Sequence, residues 1–200
     1  MQVYGDRRSG NCYKIQLAAA LLRVPYTWHD VDIMKGETRS DAFLALNPAG
    51  EIPLVILDDG RRLSESNAIL NYLAADSKFE PRDPYQRAKV LQWQFWEQYN
   101  HEPRIAVARF IKLYQGLPDD RRAEFEALQK PGHRALNIMD QQLRTSPWLI
   151  GDQLSMADVS LYAYTHVAHE GDFDLSAYAG INAWLKRMAD TPGYAPMQAN

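Results

Sequence analysis

The sequence predicts an α/β domain followed by an all-α domain. Short strand and helix patterns alternate up to Ala75, a charged segment with Pro81 and Pro84 follows, and only helical periodicity appears after it. The expected divisions are residues 1–77, a linker over 78–84, and residues 85–200.

Gln2-Val3-Tyr4 reads as a brief strand ended by a polar turn. Ile15, Ala18, Ala19 and Leu22 recur at helical spacing and make one apolar face of a first helix, which Pro25 is expected to stop. Tyr26 to Ile33 alternates apolar and polar side chains as a half-buried strand does, and Ser40 to Leu46 makes a short helix closed by Asn47-Pro48. Leu54 to Leu57, an Asp59-Gly60 turn and Arg61 to Leu63 form an antiparallel hairpin, because Asp-Gly supplies the positive φ angles of a two-residue turn. A helix from Ser66 to Ala75 completes the order βαβ then ββα, that of a thioredoxin-like domain, although other α/β folds share it.

In the second half Phe125, Leu128, Leu136, Met139 and Leu143 keep one helical face, and so do Tyr178, Ile181, Trp184, Leu185 and Met188. Ser155-Met156-Ala157-Asp158 is a capping box that anchors a buried helix start. Pro103 interrupts the pattern from Tyr85 to Tyr114 and is expected to kink the helix near Tyr99 to Arg104.

At 200 residues, with 46% hydrophobic and 24% charged, the chain has the composition of a soluble globular protein with a core of its own. There are 10 basic and 12 acidic residues before Pro84 and 12 and 13 from it on, so neither half is an electrostatic binder of nucleic acid. The longest apolar run, Leu17 to Leu22, is far short of the roughly 20 residues that span a bilayer. A single cysteine, Cys12, excludes an internal disulfide and a thiolate zinc cluster and fits the cytoplasm. Arg7-Arg8 is not read as an export signal, because polar residues and Lys14 follow where an apolar stretch is needed.

Several motifs carry little chemistry. Gly5 to Gly10 has the glycine spacing of a phosphate loop but Asn11-Cys12 where a lysine and hydroxyl are required. His166 and His169, near Glu170, Asp172 and Asp174, read as a solvated helix end rather than a metal site. Trp93, Trp96 and Tyr99 form a helical stripe that is at least partly core, its Tyr99 end a candidate pocket lining. Two other segments say more. In Asn47-Pro48-Ala49-Gly50-Glu51-Ile52-Pro53, a cis Ile52-Pro53 bond before a strand would turn the Ile52 backbone toward an extended peptide; a plain strand-entry proline is the alternative. Glu65-Ser66 opens a helix, whose positive end suits a carboxylate while Glu65 suits an ammonium; an unliganded cap is the alternative.

With Ser9-Gly10-Asn11-Cys12 and the capping box in the same order, the chain resembles a cytosolic glutathione S-transferase of the serine type over essentially its whole length. The resemblance implies that Ile52 and Pro53 hold the cysteinyl backbone of glutathione and that Glu65 and Ser66 hold its γ-glutamyl end. Lys35 and Arg39 are then candidates for the glycine carboxylate, although Gly50-Glu51 departs from the family pattern there. Ser9 matches the hydroxyl that donates to the glutathione thiolate, with Asn11 as the alternative. Cys12 lies two residues beyond the cysteine of the classes that form a mixed disulfide. Tyr99, Arg104 and Phe110 are the candidates for an acceptor pocket between the domains. The implied activity is addition of glutathione, as co-substrate and without a metal, to a small apolar electrophile by a cytoplasmic homodimer. The rivals are a glutathione-dependent disulfide or peroxide reductase and a non-enzymatic interaction protein.

Overall fold

A computed structural model describes residues 1–198, which divide into one unit of Met1–Lys78 with the tail from Pro192, and a second of Phe79–Thr191. The first holds strands β1 (Gln2–Gly5), β2 (Thr27–Asp30), β3 (Leu54–Ile56) and β4 (Arg62–Ser64) and helices α1 (Gly10–Leu22), α2 (Asp41–Leu46) and α3 (Ser66–Ala74). They form one mixed sheet in the order β2-β1-β3-β4, with β1 parallel to β2 and antiparallel to β3, and β3 antiparallel to β4. This is the expected thioredoxin-like α/β layout. Strand alternation divides the core. Val3 and Val55, paired in register and fully buried, belong to one face, whereas Val31, Phe43 and Leu54 cluster with Tyr4, Leu46 and Ile52.

Two local expectations are corrected. The Asp-Gly hairpin has a three-residue loop, because Leu57 N–H bonds to Arg61 O at 2.8 Å and Gly60 N–H to Leu57 O at 2.9 Å, and of its residues only Gly60 has positive φ, +84°. Helix α1 is buried nearly all round rather than along one face. The tail from Pro192 covers the side opposite Ile15, Ala18 and Ala19: Tyr13 donates its hydroxyl to Ala195 O at 2.7 Å, and a Cβ on Gly193 would lie 3.3 Å from Ala20 O. The helix also stops at Leu22, three residues before Pro25, on a left-handed Arg23 whose N–H returns to Ala19 and Ala20 carbonyls.

The second unit is helical, with α4 (Pro84–Trp96), α5 (Glu102–Arg109), α6 (Arg122–Leu143), α7 (Met156–Thr165) and α8 (Ala179–Ala189). The expected kink at Pro103 takes another form. Glu97–His101 make a π-helical turn, and Pro103 then falls in the first turn of α5, where its missing N–H breaks no bond. Pro131 is accommodated inside α6, beside Gly132, whose lack of a Cβ admits the Phe173 ring; the ring lies 2.3 Å from where that atom would be.

Two buried carboxylates tie the helices together. Asp140 of α6 accepts from the Gly180 and Ile181 N–H groups at 2.7 and 3.1 Å and so satisfies the start of α8. The capping box forms as expected, and Asp158 reaches further than its own helix. It accepts from Ser155 N–H and Ser155 Oγ, both at 3.0 Å, from Leu149 N–H at 2.9 Å and from the Trp184 indole N–H at 3.0 Å. Among the described residues no helix is long and apolar enough to cross a membrane.

Candidate active site

The loop leaving β1 is braced from both sides. Asp6, nearly buried, accepts from the Arg8 backbone N–H at 2.8 Å and from Arg8 Nη2 at 3.0 Å. Arg7 lies over the Trp28 ring at 5.2 Å and donates to Asp30 Oδ1 at 2.9 Å, an oxygen that also receives the Trp28 N–H at 2.7 Å. Asp6, Arg7, Arg8, Asp30, Val31 and Asp32 line a cavity of about 230 Å³.

Ser9 follows directly. It is the N-cap of α1, with extended backbone, and its Oγ accepts the Cys12 N–H at 3.4 Å. A capping hydroxyl spends a lone pair and retains its proton, so Ser9 can donate to an anionic atom placed at the positive end of α1. Asn11 is engaged elsewhere: its Oδ1 accepts the Ser66 hydroxyl at 3.2 Å. Ser66 opens α3, and Glu65 before it has φ +68°, a conformation a non-glycine residue adopts only where its surroundings hold it.

The Ile52-Pro53 bond is cis, and Ile52 lies outside the β3 ladder. Its approach is fixed by Asn47, which donates to Glu51 O at 2.8 Å and accepts from Ala49 N–H at 3.3 Å. Arg39 packs against this segment, donating to Ala49 O at 3.1 Å, and Gly50 at φ +64° leaves room for its guanidinium. Lys35 instead pairs with Asp32 at 3.1 Å with its side chain 76% exposed. Of the two cations, the structure brings only Arg39 against the cis-proline segment.

Residues 8–76 match the family model of the glutathione S-transferase N-terminal domain, and residues 122–187 that of the C-terminal domain. The chain belongs to the glutathione S-transferase family. It is 57% identical to a glutathione S-transferase of Pseudomonas fluorescens [Pf-5] of known structure, which aligns over 99% of this chain and 98% of that one with a TM-score of 0.97. It is 32% identical to glutathione S-transferase 2 of Anopheles gambiae over 92% of this chain and 88% of that one. It is 29% identical to the disulfide-bond oxidoreductase YfcG of Escherichia coli (strain K12), over 91% and 87% of the two chains. Like these relatives, this glutathione S-transferase is an enzyme.

Cys12 of this transferase is fully buried, and a Cβ on Gly5 would lie 2.7 Å from its sulfur. Burial pushes its thiol up to about 12, with Ser9 and the Asp6 backbone pulling the other way. Iodoacetamide at pH 8 is therefore expected to leave Cys12 unmodified in the native protein and to alkylate it fully in urea, as read by mass spectrometry; rapid native labelling would contradict this burial.

Tyr99 is 81% exposed, Arg104 makes one long bond to the Pro103 carbonyl at 3.5 Å, and Phe110 stacks on Tyr114 at 5.1 Å. His166 turns its Nδ1–H to the Tyr162 carbonyl at 2.8 Å, and burial pushes it down to about 4, so it is neutral at pH 7. The side chain that sequence reasoning missed is Lys14, fully buried beneath Ser66. The signal was present: Lys14 precedes Ala18 by one helical turn, on the edge of the apolar face of α1.

Proposed function

We propose that this enzyme binds glutathione at the β1–α1 loop and the start of α3, holds its sulfur as the thiolate with Ser9, and adds it to a small apolar electrophile. The observation that carries this reading is the division of labour at the helix ends. Ser9 keeps a proton at the N-terminus of α1, whereas the Asn11 oxygen is taken by Ser66. We therefore read the site as serine-type, with Asn11, whose Nδ2–H group is the donor it would offer a thiolate, as the alternative. A charge-assisted bond to sulfur, aided by the helix dipole, lowers a thiol pKa from roughly 8.5 toward neutrality.

In this reading the Ile52 backbone pairs with the cysteinyl residue, Glu65 accepts the γ-glutamyl ammonium, and the amides opening α3 take the neighbouring carboxylate. Arg39 is favoured over Lys35 for the glycine carboxylate, because it is already built against Ala49 and Gly50. Tyr99, Arg104 and Phe110 are the candidates for contact with the electrophile. Exposed Leu91, Phe95 and Tyr99, spaced four residues apart, and Tyr72 on α3 support a homodimer, which sedimentation equilibrium tests. The test of the chemistry is the ultraviolet thiolate absorbance of bound glutathione against pH. A bound pKa well below that of free glutathione is expected, and binding without a shift would remove the thiolate role.

Disulfide reduction is the second reading, favoured by the match to the E. coli disulfide-bond oxidoreductase. It uses the same thiolate. Glutathione-dependent turnover of a small mixed disulfide exceeding that of any electrophile would decide for it.

A further inference from the structure

We propose that the tail from Pro192 is a strap that positions Ser9: it runs back along α1 and clamps the chain on both sides of that hydroxyl, with Gln198 as a positioning residue for activation of the thiol. The inference rests on the reading above, that Ser9 donates to the glutathione thiolate.

The sequence suits the tail to this use. Pro192 and Pro196 restrict the free chain, so that ordering it costs less, and Ala195, placed before a proline, is biased toward extended backbone. A segment outside helices and strands stays ordered only where it is tied down. Three ties follow α1 backwards. Gly193, at φ +90°, lies so close to the last turn of α1 that a Cβ on it would sit 3.3 Å from Ala20 O and 3.4 Å from Leu21 Cα. Ala195 O accepts the hydroxyl of fully buried Tyr13 at 2.7 Å. Gln198 Oε1 accepts from Arg7 Nη1 at 2.6 Å, in the loop that precedes the helix. The tail thus travels antiparallel to α1, from the end of the helix to its start.

What the last two ties enclose is Ser9. Arg7 precedes it by two residues, and Tyr13 follows it by four and donates its N–H to Ser9 O at 2.8 Å. The segment between has a loose hold of its own, because the capping bond from Cys12 N–H to Ser9 Oγ is 3.4 Å long. Arg7 is gripped from two sides. Its Nε donates to Asp30 Oδ1 at 2.9 Å and its guanidinium lies 5.2 Å over the Trp28 ring, while Gln198 takes Nη1. A guanidinium is planar, so fixing two of its nitrogens fixes its plane and limits the backbone that carries it. Ser9 acts through the length and angle of one hydrogen bond, and a drift of about 1 Å in such a group costs up to about 100-fold in rate. Loosening the strap should cost part of that.

The test uses the pKa of bound glutathione, read from thiolate absorbance, together with steady-state constants. Two variants are compared with wild type: Gln198→Met, which keeps the length of the side chain without its acceptor, and Gly193→Val, which lifts the tail from the other end of α1. Both positions are exposed, so neither substitution opens the core. Each variant is expected to raise the bound pKa by about 0.5, which is about threefold less thiolate below it. Turnover should then fall about threefold at pH 6 and return to the wild-type value at pH 9, with KM for glutathione within about twofold. An unmoved pKa in either variant, or a loss equal at every pH, would overturn the strap.

Ser9→Ala supplies the background in which there is no hydroxyl to position. Gln198→Met should change the bound pKa no further there, and the same shift in that background would show that Gln198 acts without Ser9, again overturning the proposal. If wild type does not bind glutathione, or Ser9→Ala leaves the bound pKa unmoved, the reading of Ser9 fails and the strap with it. If Ser9→Ala raises the pKa and the tail variants do not, only the strap fails.

Discussion

Ser9→Ala is expected to lower turnover by about 10- to 100-fold, corresponding to the roughly 1.5–3 kcal/mol of a hydrogen bond to a charged group. The loss should appear in kcat, with a raised pKa of bound glutathione, because the bond strengthens as the sulfur becomes anionic. Stability should change little. The capping bond from Cys12 N–H to Ser9 Oγ is 3.4 Å long, at the weak end of its range, so its removal costs at most about 1 kcal/mol. Glu65→Ala is expected to do the opposite, raising KM with a smaller change in kcat. Steady-state kinetics with an aromatic electrophile and titration of the bound thiol separate the two. Unchanged turnover in Ser9→Ala would eliminate Ser9 as the thiolate donor and bring Asn11→Ala forward as the next variant.

The largest effect on stability should come from Asp158. Its replacement by alanine orphans donors from Leu149, Ser155 and Trp184 in a site with no exposure to water. A loss of about 3–5 kcal/mol is expected, a large part of the roughly 5–15 kcal/mol that a folded domain has in total. Urea unfolding measures it. The group also gives stability a definite dependence on pH. Burial pushes the Asp158 carboxyl up to about 6, against the pull of its four donors, whereas an unfolded aspartate titrates near about 3.9. The folded protein thus holds the proton more tightly. The contribution of this group is fully present below about pH 4 and is lost as pH rises through 6. The stability gap between wild type and Asp158→Asn, which cannot ionise, should narrow from pH 5 to pH 8. A gap that widens would show that the four donors outweigh burial.

Much of this architecture is legible locally. Strand and helix order, the Asp-Gly hairpin, the Ser155–Asp158 box and the Glu65-Ser66 helix start each rest on residues within a few positions of one another, where backbone preference and short-range hydrogen bonding decide the outcome. The residues around Ile52-Pro53 left a cis bond and a plain strand-entry proline both open, and the structure has the cis bond, with the approach held by Asn47.

What the sequence alone determined, then, is the order of elements and the local caps and turns that join them, because both depend on neighbours in the chain. Tertiary structure decided the rest. It put the tail from Pro192 against the side of α1 opposite the apolar face read from periodicity, and it placed the lysine on the edge of that helix's apolar face beneath a serine of α3, 52 residues away in the chain. It also gave the Asn11 oxygen to Ser66 and left Ser9 its proton. Pairings of this kind depend on which surfaces meet after the chain has folded, and no spacing within one element encodes a partner in another.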